Sequence, residues 1–185
     1  MIKKLLLCVL TLSVLFSCKK EEEPLTENTN VFIKFNLDGV SKSATANGSD
    51  TYHFFDDFES YVGLTDNGIQ VINTDGDDIT PDSLVNMKNR KLPFIESSAS
   101  NYKVRLFFDD ASGYYTSNDA SSNAFPANYF RMTTVTLIKK ETSALQTNNI
   151  YLIEGDFTCN LSDDGATDKA ATNGTFRLVV NLITF

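Results

Sequence analysis

From residue 31 onward, apolar and polar positions alternate with a period of two, as in strands with one buried and one wet face. Residues 31–37 read Val-Phe-Ile-Lys-Phe-Asn-Leu and run into Asp38-Gly39, a dipeptide favoured in two-residue hairpin turns. Residues 61–64 and 69–72 flank a second turn signal, Asp66-Asn67-Gly68. Across residues 102–108, Lys103 and Arg105 alternate with Tyr102, Val104 and Leu106, which suits a sheet with one solvated face. Residues 129–139 are rich in Thr, Val, Ile and aromatics. Residues 150–161 put Tyr151, Ile153, Gly155, Phe157, Cys159 and Leu161 on one face, with Glu154, Asp156, Thr158 and Asn160 on the other. Residues 175–183 repeat the pattern, with Phe176, Leu178, Val180 and Leu182 inward. Loops are expected at residues 162–165 and at Thr172-Asn173-Gly174. Helix signals are confined to Thr80-Pro81-Asp82, with Thr80 as cap, Pro81 at the first position, and a thin apolar face of Leu84, Val85 and Met87. About nine or ten strands with little helix predict an all-β fold, a single antiparallel β-sandwich or β-barrel over residues 31–185.

The first 30 residues follow other rules. Lys3 and Lys4 precede an apolar run over residues 5–16, broken by Thr11 and Ser13. Twelve helical residues rise about 18 Å, too short for a hydrocarbon core of about 30 Å, so residues 1–17 read as a signal peptide. Leu15-Phe16-Ser17-Cys18 resembles the bacterial lipobox, which marks Cys18 for diacylglycerol attachment through its nucleophilic sulfur. Acyl chains contribute about 0.8 kcal/mol per buried CH₂, so two or three of them hold a protein at a membrane. The charged stretch that follows, Lys19-Lys20-Glu21-Glu22-Glu23-Pro24, cannot bury itself, and residues 18–30 read as a flexible tether. The stretch also resembles the lysine-plus-acidic export signal of Bacteroidetes surface lipoproteins. Residue 19 is Lys and not Asp, so the inner-membrane retention signal of enterobacteria is absent. Toward the other end, Gly155-Asp156-Phe157 and Asn173-Gly174-Thr175-Phe176 resemble the "GxF…NGxF" close of small Bacteroidetes lipoproteins of unknown function. The resemblance implies a β-fold and an outer-membrane, outward-facing location.

Charge and cysteine content narrow the field. The formal charge of -8 becomes about -10 once Lys3 and Lys4 leave with the signal, which excludes a nucleic-acid partner that needs a basic face. With Cys18 consumed by lipid and Cys8 removed, Cys159 stands alone, so neither an internal disulfide nor a cysteine-pair zinc site can form. Its place between Phe157 and Leu161 predicts a buried, inert thiol.

Catalytic motifs are scarce. The single histidine, His53, sits among aromatics and no Gly-x-Ser-x-Gly accompanies it, so a packed or surface role is expected. Carboxylates cluster at Asp56-Asp57 with Glu59, at Asp75, Asp77 and Asp78, at Asp109-Asp110 and at Asp163-Asp164, beside residues typical of turns. Turn chemistry is the expectation for them. Calcium is the sharper alternative for Asn73, Asp75, Asp77 and Asp78, which offer hard oxygens within six residues but lack the EF-hand order. No other cofactor is expected. Tyr52, Phe54, Phe55, Tyr61, Tyr114 and Tyr115 could stack on sugar rings, although a chain without tryptophan also needs such residues for packing. Asp82-Ser83-Leu84 resembles the O-glycosylation motif of Bacteroidetes envelope proteins, with Ser83 as acceptor.

The expected function is a lipid-anchored, non-catalytic module that presents loops to a protein or glycan partner at the cell surface. The alternatives are an envelope glycan hydrolase working through paired carboxylates and a barrel that carries an apolar ligand. The hydrolase predicts two converging carboxylates, one with a raised pKa. The carrier predicts a closed barrel with an empty apolar interior.

Overall fold

The structure, a computed structural model, describes residues 30–95, 97–117, 122–163 and 167–185. The expected signal peptide, Cys18, the expected tether up to residue 29 and Asp164 lie outside the described residues. In chain order the elements are β1 (Asn30–Leu37), β2 (Val40–Asn47), β3 (Ser49–Phe54), β4 (Asp57–Val62), β5 (Gly68–Asn73) and α1 (Pro81–Asn86). They continue with β6 (Lys91–Leu92), β7 (Tyr102–Asp110), β8 (Gly113–Thr116), β9 (Tyr129–Thr142), β10 (Thr147–Leu161) and β11 (Lys169–Thr184). Eleven strands thus replace the nine or ten expected, the two-residue β6 among them.

The strands form two antiparallel sheets, ordered β2-β1-β11-β10-β9-β6 and β3-β4-β5-β7-β8. They face each other as a sandwich and do not close into a barrel. The inner faces meet through Phe35, which sets its ring edge-on to Phe108 at 4.8 Å and lies 5.8 Å from Phe157. Ile33, Val71, Val104, Leu178 and Val180 fill the space between with no exposed surface, as the period-two pattern requires. Cys159 is buried between Phe157 and Leu161, and burial pushes its thiol pKa well up. Asp38 and Gly39 both take positive φ, the geometry of the expected two-residue hairpin turn.

One expected loop is not a loop. Asn173-Gly174 lies inside β11, as a bulge between ladders to two neighbours. Against β1, register passes from Lys34↔Thr175 to Asn36↔Thr172, and against β10 from Phe157↔Gly174 to Cys159↔Ala171. One extra residue is absorbed there, and Asn173 takes φ +53°, a left-handed conformation asparagine tolerates. Asn-Gly is a turn signal locally, but pairing on both sides keeps the strand continuous.

The same stretch explains the Gly–Phe spacing near the carboxy terminus. Gly155 stands opposite Phe176, and Phe157 opposite Gly174. A Cβ on Gly174 would lie 2.6 Å from the Phe157 ring, and one on Gly155 2.7 Å from the Phe176 ring. Each ring therefore covers the glycine of the facing strand, and Phe130 stacks on Phe176 at 4.6 Å.

The sheets also touch at their flanks. β1 pairs with β11 only as far as Arg177, and beyond it β3 and β4 cover the exposed backbone with hydroxyls. The Val179 N–H donates to Ser49 Oγ at 3.0 Å, while the Val179 carbonyl accepts from Thr51 Oγ1 at 2.7 Å and Ser60 Oγ at 2.8 Å. Such bonds satisfy the β11 edge without adding a ladder, which is why the fold stays a sandwich. At one end of the sandwich Lys42 of β2 reaches Asp110 of β7 at 2.7 Å and Ser112 Oγ at 2.6 Å.

Candidate functional site

Strand alternation decides what β3 and β4 present. Ser49, Thr51 and Ser60 point into the sandwich toward Val179, so Asp50, Tyr52 and Phe54, and with them Asp57, Glu59 and Tyr61, point out. Across β5 and β7 the same outer face carries Gln70, Arg105 and Phe107. Gly68 of β5 stands opposite Tyr61, and a Cβ there would lie 2.7 Å from the Tyr61 ring. The ring therefore lies across the glycine and stacks on Phe107, with centroids 6.4 Å apart. Tyr52 meets Tyr61 edge-on at 6.1 Å.

An open groove of about 460 Å³ lies over this end of the sheet, lined by Asp50, Tyr52, Phe54, Glu59 and Tyr61 together with Gly63, Leu64, Thr65 and Asp66 of the β4–β5 turn. Phe54 is 58% exposed and Leu64 91%. Tyr61 Oη donates to Glu59 at 2.9 Å and Tyr52 Oη donates to Asp50 at 3.3 Å. Burial, followed by the bond to Glu59, holds the Tyr61 phenol pKa well above its ordinary value, so its proton stays in place as a donor. None of Asp50, Glu59 and Asp66 has an ion-pair partner among the described residues.

Beside the groove runs a polar relay. Arg105 Nη1 donates to Gln70 Oε1 at 3.2 Å, and Gln70 Nε2 donates to Asp57 Oδ2 at 2.8 Å. Asp57 Oδ1 and Arg105 Nε are enclosed and have no hydrogen-bond partner among the described residues. Burial raises the Asp57 pKa, Gln70 opposes the shift, and the charge of Glu59 adds to it. Asp57 does not line the groove.

The sequence-predicted residues are dispersed in part. Asp57 and Glu59 project from β4 and are not turn residues, whereas Asp56 occupies the β3–β4 turn. Phe55 lies in that turn too, with φ +27°. Tyr115 faces inward against Phe108 and is buried, so it does not join Tyr52, Phe54 and Tyr61. Tyr114, on the outer face of β8, remains partly exposed. His53 faces inward opposite Phe58, with a buried Nε2 that has no hydrogen-bond partner among the described residues, and the nearby Thr51 and Ser60 hydroxyls are committed to Val179.

Asn73, Asp75, Asp77 and Asp78 build a turn. Asn73 Oδ1 accepts from the Asp75 N–H at 3.2 Å, Asn73 Nδ2 donates to the Asp77 carbonyl at 3.0 Å, and Asp75 accepts from Asn101. No group of three or more His, Cys, Asp or Glu converges as a metal site would require among the described residues. Ser83 closes the cap of α1: its N–H donates to Thr80 Oγ1 at 3.1 Å and its Oγ accepts from the Thr80 N–H at 2.8 Å.

The sequence marks Asp66 only as part of a turn and Leu64 only as part of a strand, and assigns neither of them, nor Asp50, to a site. A period-two reading of Ser49–Phe54 would have placed Asp50 beside Tyr52 and Phe54, but only the fold brings Leu64 and Asp66 alongside. No family profile matches the chain, and no curated protein or solved structure matches it either.

Proposed function

We propose that this chain is a lipid-anchored, non-catalytic binding module of the outer-membrane surface, tethered through Cys18, with the groove on β3 and β4 as its contact face. One observation carries the binding surface: exposed aromatic rings and three carboxylates without ion-pair partners among the described residues line one groove on the outside of a packed sandwich. Large apolar residues clustered at a wet surface signal contact with another molecule. The anchor rests on the Leu15-Phe16-Ser17-Cys18 sequence and the charged residues after it.

Hydrolysis of glycans is a second reading. It is favoured by the raised pKa of Asp57, which shares the outer face of β4 with Glu59. Against it, Asp57 is bonded to Gln70 and lies outside the groove lining. An apolar-ligand barrel is not supported, because the sheets form a sandwich.

Two measurements test the proposal. Mass spectrometry of the cell-derived protein is expected to find acyl chains on Cys18, and an unmodified thiol contradicts the anchor. A photoreactive residue placed at Leu64 in the groove is expected to crosslink a partner on intact cells. The same residue at Leu145, also exposed but in the β9–β10 turn, is expected not to. Equal yields at the two positions contradict the assignment of the face.

A further inference from the structure

We propose that the groove on β3 and β4 takes a basic, extended segment of a partner protein, entering with a lysine or arginine side chain over Tyr52 and Tyr61. The proposal rests on the binding-module reading and names its ligand. Hydrogen-bond accounting carries it. Every side-chain hydroxyl in the lining already spends its proton inside the protein: Tyr52 on Asp50, Tyr61 on Glu59, and Thr65 on the Val62 carbonyl at 2.7 Å. Among the described residues, no lysine, arginine or amide side chain lines the groove. Its side chains therefore offer a ligand acceptor oxygens, ring faces and the aliphatic Leu64, and no hydrogen-bond donor that is not already spent. A sugar hydroxyl both donates and accepts, so half of its capacity would go unmet here. Ammonium and guanidinium groups donate only, carry the charge that Asp50, Glu59 and Asp66 lack opposite them among the described residues, and are attracted to aromatic faces.

Shape selects a polypeptide over a free amine. Asp50 to Phe54 spans four strand steps, about 13 Å, long enough for an extended segment of about four residues. Phe54 at one end and Leu64 at another are strongly exposed apolar side chains that a small amine would leave uncovered. A basic residue flanked by apolar neighbours would cover both.

The test uses the full chain with Cys18→Ala, kept free of membrane. Its binding is measured to a fluorescent nonapeptide of alternating arginine and valine, to the same peptide with citrulline for arginine, to spermidine, and to a neutral hexasaccharide. The arginine peptide is expected to bind at least tenfold more tightly than the citrulline peptide and to weaken as salt rises. The combined Asp50→Asn, Glu59→Gln and Asp66→Asn variant is expected to lose that preference, while Tyr52→Phe, which keeps the ring, retains most of it. Circular dichroism checks that each variant is folded. No binding of the arginine peptide, equal binding of the citrulline peptide, binding of spermidine as tight as that of the peptide, or preference for the hexasaccharide each overturns the proposal. Crosslinking at Leu64 on intact cells that survives the three-carboxylate variant would sink the cationic ligand and leave the binding face standing. Loss of crosslinking from the unsubstituted chain sinks the face itself.

Discussion

Two sets of aromatic rings lie across glycines of neighbouring strands, one inside the sandwich and one outside. Inside, Phe157 covers Gly174 and Phe176 covers Gly155, and Phe130 stacks on the second pair. All of these rings are phenylalanine and all are buried. Outside, Tyr61 covers Gly68, stacks on Phe107 and meets Tyr52, and the phenol oxygens reach carboxylates at the wet surface. The backbone device is the same: a strand glycine leaves room for a large ring from across the ladder. What differs is the surroundings. A ring with no polar atom, enclosed on all sides, serves cohesion. A phenol beside carboxylates that have no ion-pair partner among the described residues keeps a ring face and acceptor oxygens available to something else.

Substitutions can separate the two roles. The largest expected effect is at Gly155, where a Cβ would lie 1.9 Å from the Arg131 carbonyl oxygen as well as against Phe176. Gly155→Ala is expected to cost more than about 4 kcal/mol and to leave little folded protein, read by denaturant unfolding. Phe176→Ala follows, at about 3–5 kcal/mol for an aromatic removed from a core. The outer cluster should behave otherwise. Tyr52→Ala, at a residue 49% exposed, is expected to cost about 0.5 kcal/mol or less while abolishing crosslinking at Leu64. A Tyr52→Ala chain that unfolds like the Phe176→Ala chain would erase the distinction between the clusters.

The smallest effect concerns neither cluster and supplies a control. Lys42, with Ser112, holds the Asp110 carboxyl down to about 2 from its ordinary 3.8. A carboxylate with a lowered folded-state pKa contributes stability that is fully present above 3.8 and is lost as pH falls through about 2. Asp110 is partly exposed, so the contribution is expected to be only about 0.3 kcal/mol. Denaturant midpoints should decline over that acid window in the unsubstituted chain and decline less in Lys42→Met. Equal slopes would remove Lys42 as the cause.

Legibility in the sequence follows the same division. β1, β7, β10 and β11 were readable because long runs alternate large apolar residues with polar ones, and β9 because it is rich in Thr, Val, Ile and aromatics. β2 reads Val-Ser-Lys-Ser-Ala-Thr-Ala-Asn; Lys42 shares the partly buried face with Ala44 and Ala46, and the only apolar residues it packs on the core are these two small alanines, so no alternation stands out. The Asn173 bulge was hidden because a turn dipeptide looks alike whether or not the strands on either side hold it in place. The aromatics of the groove were visible as residue types, but their separation from Tyr115 depends on strand parity. The acidic lining depended on a turn folding back beside β3. Sequence alone also left sandwich and barrel open, since alternation reports burial of a face and says nothing of whether the sheet closes.

Ring-resolved NMR of the Cys18→Ala chain titrated with the arginine–valine peptide tests the contrast between the clusters most directly. The account predicts that the ring signals of Tyr52, Phe54 and Tyr61 move with saturation while those of Phe130, Phe157 and Phe176 stay in place. Unmoved outer rings at saturating peptide, or inner and outer rings shifting together, would contradict it.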